Sequence, residues 1–274
     1  MCASDQIRFE PSHAGLQRLS ARFGGHAYDL HRHETYAVGL TLWGAQSFHY
    51  RGALRTSAAG QVMVIHPDEA HDGHATVDAG FAYRMLYVDP ASVTAALDGA
   101  TPPFVRDVVA DDPALGRLLR EAFAQFPQVL EPLAIDAIVA RLAELLSARS
   151  DSAPKRRTGK TAHRAAHHAV GRARDFLVAE APRIVASEEL EKVSGLDRFA
   201  LSRHFRAAFG TSPHRFQVGQ RLVKAQALIS SGMPLSETAA ATGFADQSHL
   251  TRHFSARFGL TPGRWATLSR TAAA

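Results

Sequence analysis

The sequence predicts a multidomain α+β protein: a small β-barrel carrying helices, followed by an all-α domain. Three observations predict it. Apolar residues alternate with a period of two from residue 20 to about residue 90, then change to helical spacing from about residue 91. Charge is divided between the halves: residues 1–150 hold 12 Lys/Arg against 17 Asp/Glu, and residues 151–274 hold 19 against 9. A short tract is also written twice near the end, LSRHFRAAFGTSP (Leu201–Pro213) and LTRHFSARFGLTP (Leu250–Pro262), identical at eight of thirteen positions.

The strands come first. Tyr36, Val38, Leu40 and Leu42 alternate with Thr35, Ala37, Gly39 and Thr41, until Gly44-Ala45 punctuates the run. SFHYRG is read as a second strand. Gly60 opens a third, QVMVI, closed by His66-Pro67-Asp68, and FAYRMLYV is a fourth, ended by Asp89-Pro90. Short strands at close spacing with Gly/Pro punctuation suggest a small barrel or sandwich.

Helices follow. Asp112-Pro113 reads as an N-cap with proline at the first helical position. Leu115, Leu118, Leu119, Ala122 and Phe123 form one stripe; Ile135, Ile138, Val139, Leu142, Leu145 and Leu146 form another. These stripes fit either packing onto the barrel or a dimer seam within residues 113–149. The polar, basic stretch SARSDSAPKRRTGKTA (Ser147–Ala162) reads as a linker, so the domains are expected at 1–150 and 163–274, with a basic linker at 151–162.

Each copy of the repeated tract places Leu, Phe and Phe at i, i+4 and i+8: Leu201, Phe205, Phe209 and Leu250, Phe254, Phe258. That is one apolar helix face. Arg203 and Arg252 stand off it. Gly210 and Gly259 sit where a helix stops in a left-handed conformation, with Pro213 and Pro262 shortly after. Upstream, SEELEKVSGLD offers Ser187 as N-cap, Gly195 for a tight turn and Asp197 as the next cap. LSETAAATGFAD repeats the plan with Ser236, the close-packing Ala239 and Ala240, and Gly243. A short helix, a glycine turn and a second helix with a cationic outer face make a helix-turn-helix signature. Two copies in the basic half point to DNA.

On these residues, the region from about 165 to 267 resembles the DNA-binding domain of the AraC/XylS family of bacterial transcription regulators. The pattern runs through L-x-x-V-x-G (Leu190–Gly195), L-S-R-H-F-R-x-x-F-G-x-S-P, R-x-x-x-A at Arg221 to Ala225, and G-F-x-D-Q-S-H-L-T-R-H-F-x-x-x-F-G-x-T-P from Gly243 to Pro262. Leu196-Asp197 stands where Val-Ser is commoner, and aspartate caps as well as serine does. The resemblance implies two helix-turn-helix units joined by a long helix at about 214–231, entering successive major grooves roughly 34 Å apart. Carried over by position, the first recognition helix is about 197–207, with Arg198, Phe199, Ser202 and Arg203 facing DNA. The second is about 246–256, with Gln247, Ser248, His249, Thr251 and Arg252.

Fifteen histidines are many for 274 residues, and His31, His33 and His71 draw notice. G-x5-H-x-H from Gly25 to His33 matches the opening of the first cupin motif, and GQVMVIHPDEAH resembles the second. Residues 20–90 therefore resemble a cupin-like sensor barrel of the kind fused in front of this DNA-binding domain. Three converging histidines could bind Zn²⁺, Fe²⁺, Mn²⁺ or Ni²⁺. The metal-binding motif also expects Glu four or five residues after the second His, where Ala37 and Val38 stand, with Glu34 adjacent to His33 instead. Its second part is one residue short from proline to histidine and lacks the closing asparagine. No metal or other cofactor is expected on that pattern. His31, His33, Trp43, Tyr50 and His71 are the expected ligand pocket; His26, His49 and His163 are expected at the surface.

The function expected is a ligand-responsive, sequence-specific transcription regulator with double-stranded DNA and a small-molecule effector as partners. A homodimer is expected, and RNA polymerase enters as a candidate partner. A metal-dependent cupin enzyme is disfavoured by the missing glutamate and by the paired helix-turn-helix signatures; there is no Gly-rich phosphate loop and no G-x-S-x-G, and no catalytic residue is assigned. A purely architectural DNA-binding protein is disfavoured by the acidic front half, which would repel DNA. Cys2 is the only cysteine and is read as a terminal thiol. No apolar run approaches membrane-span length and no signal peptide is visible, which gives a cytoplasmic expectation.

Overall fold

The computed structural model describes residues 5–10, 15–150 and 160–271. Cys2, the His163 side chain and residues 151–159 of the expected linker lie outside the described residues; residues 160–162 already belong to a helix.

The front half is built from β1 (Gln6–Phe9), β2 (Leu16–Phe23), β3 (His26–His31), β4 (Tyr36–Tyr50), β5 (Ala53–Ala58), β6 (Val62–Ile65), β7 (His71–Ala75), β8 (Phe81–Val88) and β9 (Val109–Ala110), with helices α1 (Pro90–Ala96), α2 (Pro113–Ala122) and α3 (Pro132–Ala148). All pairings are antiparallel, in the order β1-β2-β8-β4-β6-β9; β5 and β7 also pair β4, and β3 pairs β7. These ladders do not close on themselves, so the expected barrel is an open, cupin-like double sheet. The expected break at Gly44-Ala45 is instead a bend in one strand of 15 residues. Gly44 has φ +70°, and a Cβ there would stand 2.0 Å from the Gly80 carbonyl oxygen. The bend, with a bulge between Thr41 and Trp43, lets β4 serve both sheets.

The period of two divides the central strands between two cores. Tyr36, Val38, Leu40, Val62, Val64, Leu86 and Val88 face α2 and α3. Ala37, Met63, Ile65, Phe81, Tyr83 and Met85 face the interior of the double sheet. The stripe of α3 is used inside the chain: Ile135, Val139, Leu142, Leu145 and Leu146 are buried in the cluster that α1, α2 and one face of the sheet share. These side chains are spent on packing within the chain.

The rear half is α4 (Lys160–Ala179), α5 (Ser187–Ser194), α6 (Arg198–Phe209), α7 (Pro213–Ser230), α8 (Leu235–Ala241), α9 (Gln247–Phe258) and α10 (Pro262–Thr271). Two expected caps shift. α5 is capped at Ala186, whose N–H donates to the Glu189 carboxylate at 2.9 Å, and α8 begins after Pro234, so Ser187 and Ser236 lie inside the first turns. The first unit packs on α4 through Val170, Leu177, Leu190, Leu201 and Phe205. The second shares one apolar cluster with the sheet interior, in which Phe244, Leu250, Phe254 and Trp265 continue into Ile7, Leu19 and Phe23.

Candidate DNA-binding surface and interdomain pocket

In each unit a left-handed glycine turns the chain between helices: Gly195 at φ +74° and Gly243 at φ +76°. Asp197 then caps α6 by accepting from the N–H groups of Phe199 and Ala200, and Asp246 caps α9 by accepting from His249 N–H. Leu201, Phe205 and Phe209 anchor α6 inward, as Leu250 and Phe254 anchor α9. Helical geometry puts the remaining positions outward. Arg198, Phe199, Arg203, Gln247, Ser248 and Arg252 are exposed; Ser202, His249 and Thr251 are half-buried. His249 also accepts from Ala245 N–H through Nδ1 at 3.3 Å and packs edge-on against Phe244, so it helps shape its own turn.

The two units are held together by Arg221 of α7. Its guanidinium donates to the carbonyls of Ala181 and Arg183, before α5, and of Gly243, in the second turn. Gln217 adds a bond to the Arg183 carbonyl at 2.8 Å. The R-x-x-x-A pattern thus has a local reason: Arg221 bridges both units, and Ala225 is fully buried on the same helix.

Between the sheet and the helical half lies a cavity of about 600 Å³. The sheet side contributes Gln17, Tyr28, His31, His33, Tyr87 and Asp89; the helical side contributes Arg174, Phe216, Gln226, Arg257, Phe258 and Trp265. Burial keeps Tyr28 and Tyr87 as neutral phenols and raises the Asp89 carboxyl to about 6. His71 packs at a tilt against His31 behind the wall, at 4.1 Å between ring centres. Tyr50 and Trp43, expected in the same pocket, are placed elsewhere. The Tyr50 hydroxyl bonds His66, accepting from its N–H and meeting Nδ1 at 3.1 Å. Trp43 is 41% exposed beneath the Arg22 guanidinium, on the outside of the β4 bulge.

His31 pairs in register with His71 across β3 and β7, and His33 follows in the next loop. One ring nitrogen from each lies within 4.8 Å of the other two, and all three residues are buried. Each Nδ1 meets a backbone carbonyl: His31 on Asp29 at 2.9 Å, His33 on Thr35 at 2.9 Å and His71 on Glu69 at 3.0 Å. A carbonyl only accepts, so each neutral ring carries its proton on Nδ1 and keeps its lone pair on Nε2. Among the described residues, His33 Nε2 is buried without a partner. Burial, reinforced by the neighbouring imidazoles, lowers His31 to about 3 and His33 well below the usual range; burial alone lowers His71 to about 4. All three rings are neutral at pH 7.

The helical half is docked on the sheet beside this triad. Asp29 N–H donates to the Gly259 carbonyl at 2.9 Å and Arg32 N–H to that of Ala256 at 3.1 Å, so β3 and the segment after it clasp the end of α9. Glu34 pairs with Arg257 of α9, Asp68 with Arg215 at 2.8 Å, and Gln17 donates to Gln226 at 2.8 Å. Sequence reading missed these partners. Only Glu34, a carboxylate beside a motif histidine, carried any signal; the others meet across about 150 to 230 residues of chain.

Comparison with known proteins finds two family models that match this chain. The AraC-like ligand-binding domain family matches residues 13–143, and a helix-turn-helix domain family matches residues 190–267. No curated protein matches in sequence. Among solved structures, apo ToxT from Vibrio cholerae strain SCE256 is similar, with TM-score 0.63 and 10% identity over 94% of this chain and 99% of that one. Unsaturated fatty acid-bound ToxT from the same strain gives TM-score 0.62 and 10% identity over 97% and 95%. ToxT of strain O395 bound to (E)-4-(8-methylnaphthalen-1-yl)but-3-enoic acid gives 0.61 and 8% over 96% and 99%. At such identities the likeness is one of fold, and it spans both halves.

Proposed function

The chain belongs to the AraC/XylS family of transcription regulators, joining a ligand-binding domain to a DNA-binding one, and from that premise we propose how it is switched. A small molecule seated between the halves sets how α9 is held, and so how α6 and α9 meet DNA. One observation carries this reading: the cavity wall is drawn from both halves and includes Arg257 and Phe258 of α9 itself. A ligand there has different contacts when the halves are docked and when they part, which is what a switch requires.

The wall suits an organic molecule with an apolar body and an anionic head. Phe216, Phe258 and Trp265 offer the apolar surface; Arg257 has a buried Nε without a hydrogen-bond partner among the described residues. Burial lowers its pKa to about 10, so it stays charged at neutral pH. The acids bound by ToxT are of this chemical kind. Thermal-shift titration of the full chain with medium- and long-chain carboxylic acids, against alcohols and amines of equal length, tests it. Acids should stabilise the protein, and Arg257→Gln should abolish their advantage. Equal or better stabilisation by the amines would overturn the choice of ligand.

On DNA, each protomer reads two successive major grooves. Arg198, Arg203 and Arg252 suit guanine O6/N7, Gln247 suits adenine, and Thr251 offers a methyl to thymine. Phe199, Ser202, Ser248 and His249 complete the two outer faces. The protein acts in the cytoplasm, without catalysis, as a homodimer alongside RNA polymerase. Because the α3 stripe is spent internally, a second copy would pair on the helix's other side, where Leu133 is 82% exposed.

A further inference from the structure

The missing glutamate led the ligand spacing to an expectation of no metal, but the donors themselves point the other way. Three neutral imidazoles converge in a buried site, each with Nδ1–H fixed on a backbone carbonyl and Nε2 left as a lone pair. Nothing among the described residues donates to His33 Nε2. Carbonyl-oriented histidines are the usual support of a metal-ligating set, and three of them with an open position suffice for a divalent ion of the Zn²⁺ or Fe²⁺ kind.

We propose that His31, His33 and His71 bind one divalent transition-metal ion, and that its charge weakens the Glu34–Arg257 pair holding α9 against the sheet. The sign follows from position. Glu34 is next to His33 in the chain, and Arg257 is close enough to act electrostatically on His33. A dication at the triad repels Arg257 and attracts Glu34, so it works against their pairing from both sides. The same place in the fold carries the clasp: Gly259 packs on Tyr28, Asp29 and His31, where a Cβ would meet the His31 ring at 2.7 Å. Metal loading would therefore be read by the second recognition helix. This rests on the reading that docking of α9 governs DNA presentation, but its test uses neither DNA nor an organic effector.

The test uses full-length protein, first dialysed against chelator and then titrated with Co²⁺. Visible absorption should report one ion per chain, displaced by Zn²⁺. His33→Ala should abolish it, and a His49→Ala/His74→Ala control, changed only outside the triad, should not. Hydrogen exchange at the Asp29 and Arg32 amides, which donate to the end of α9, reads the coupling directly. Zn²⁺ should accelerate exchange at both by about tenfold, within the usual range for coupled sites. In Glu34→Gln the ion should still bind, with both amides already fast and unmoved by metal. Absence of stoichiometric binding, binding unaffected by His33→Ala, or amides equally protected with and without bound Zn²⁺ would each overturn the proposal.

Discussion

Replacing Arg221 should uncouple the two helix-turn-helix units from each other. Its guanidinium donates to three carbonyls in two places, Ala181 and Arg183 ahead of α5 and Gly243 in the second turn. A hydrogen bond to a charged group contributes about 1.5–3 kcal/mol, and truncation also leaves carbonyls unpaired. The three bonds share one side chain, and two of them lie at partly wetted positions, so they do not simply add. Arg221→Ala is expected to destabilise the helical half by about 4 kcal/mol, at the upper end for a single substitution. Arg221→Lys should recover little, since one ammonium cannot span three separated acceptors. The assay is guanidinium unfolding followed by Trp265 fluorescence in a Trp43→Phe background, which leaves one of the chain's 2 tryptophans. Trp265 packs against Phe254 and Phe258 of α9 and so reports on the second unit. A loss below about 1 kcal/mol, the size of one ordinary neutral hydrogen bond, would refute the bridging role.

Three further predictions concern single sites. Gly243→Ala combines φ +76° with a Cβ placed 2.0 Å from the Pro182 carbonyl oxygen, and should cost upwards of about 2 kcal/mol on the same unfolding assay. Asp89 is held near 6 by burial, above the usual 3.8, so its contribution is most favourable at low pH and is lost as pH rises from about 4 through 6. It makes no side-chain cap bond to α1, so Asp89→Asn should raise stability at pH 7.5 by roughly 1–2 kcal/mol and change little at pH 4, measured by thermal melts at both. Arg252→Ala should cost ~1–3 kcal/mol in operator binding and relax preference at one base pair; uniform weakening with a shallower salt slope would reassign it to a phosphate.

What was legible in the sequence was what local chemistry determines. FAYRMLYV ends where read because Asp89-Pro90 stops the ladder and starts α1. Asp112, Asp197, Gly195 and Gly243 act as read because caps and left-handed turns depend on the residue itself. Less visible were elements whose partners are remote. β2 carries Arg18 fully buried, and no local pattern marks its partners, Glu10 and the carbonyls of Ala122 and Gln128. Gly44 reads as an end, yet it is the bend that lets one strand join two sheets. For the pocket, the motif gave His31 and His33, but the opposite wall comes from Gln226, Arg257 and Trp265, which no local pattern links to the sheet.

On the function proposed above, two rigidly joined helices of this chain read two successive grooves. This is tested most directly by selecting bound sequences from a random DNA pool with the full-length protein. Two enriched sequence blocks per protomer are expected, their centres about 10–10.5 base pairs apart, as one helical turn requires. A single enriched block, or binding that depends on salt but enriches no sequence, would contradict it.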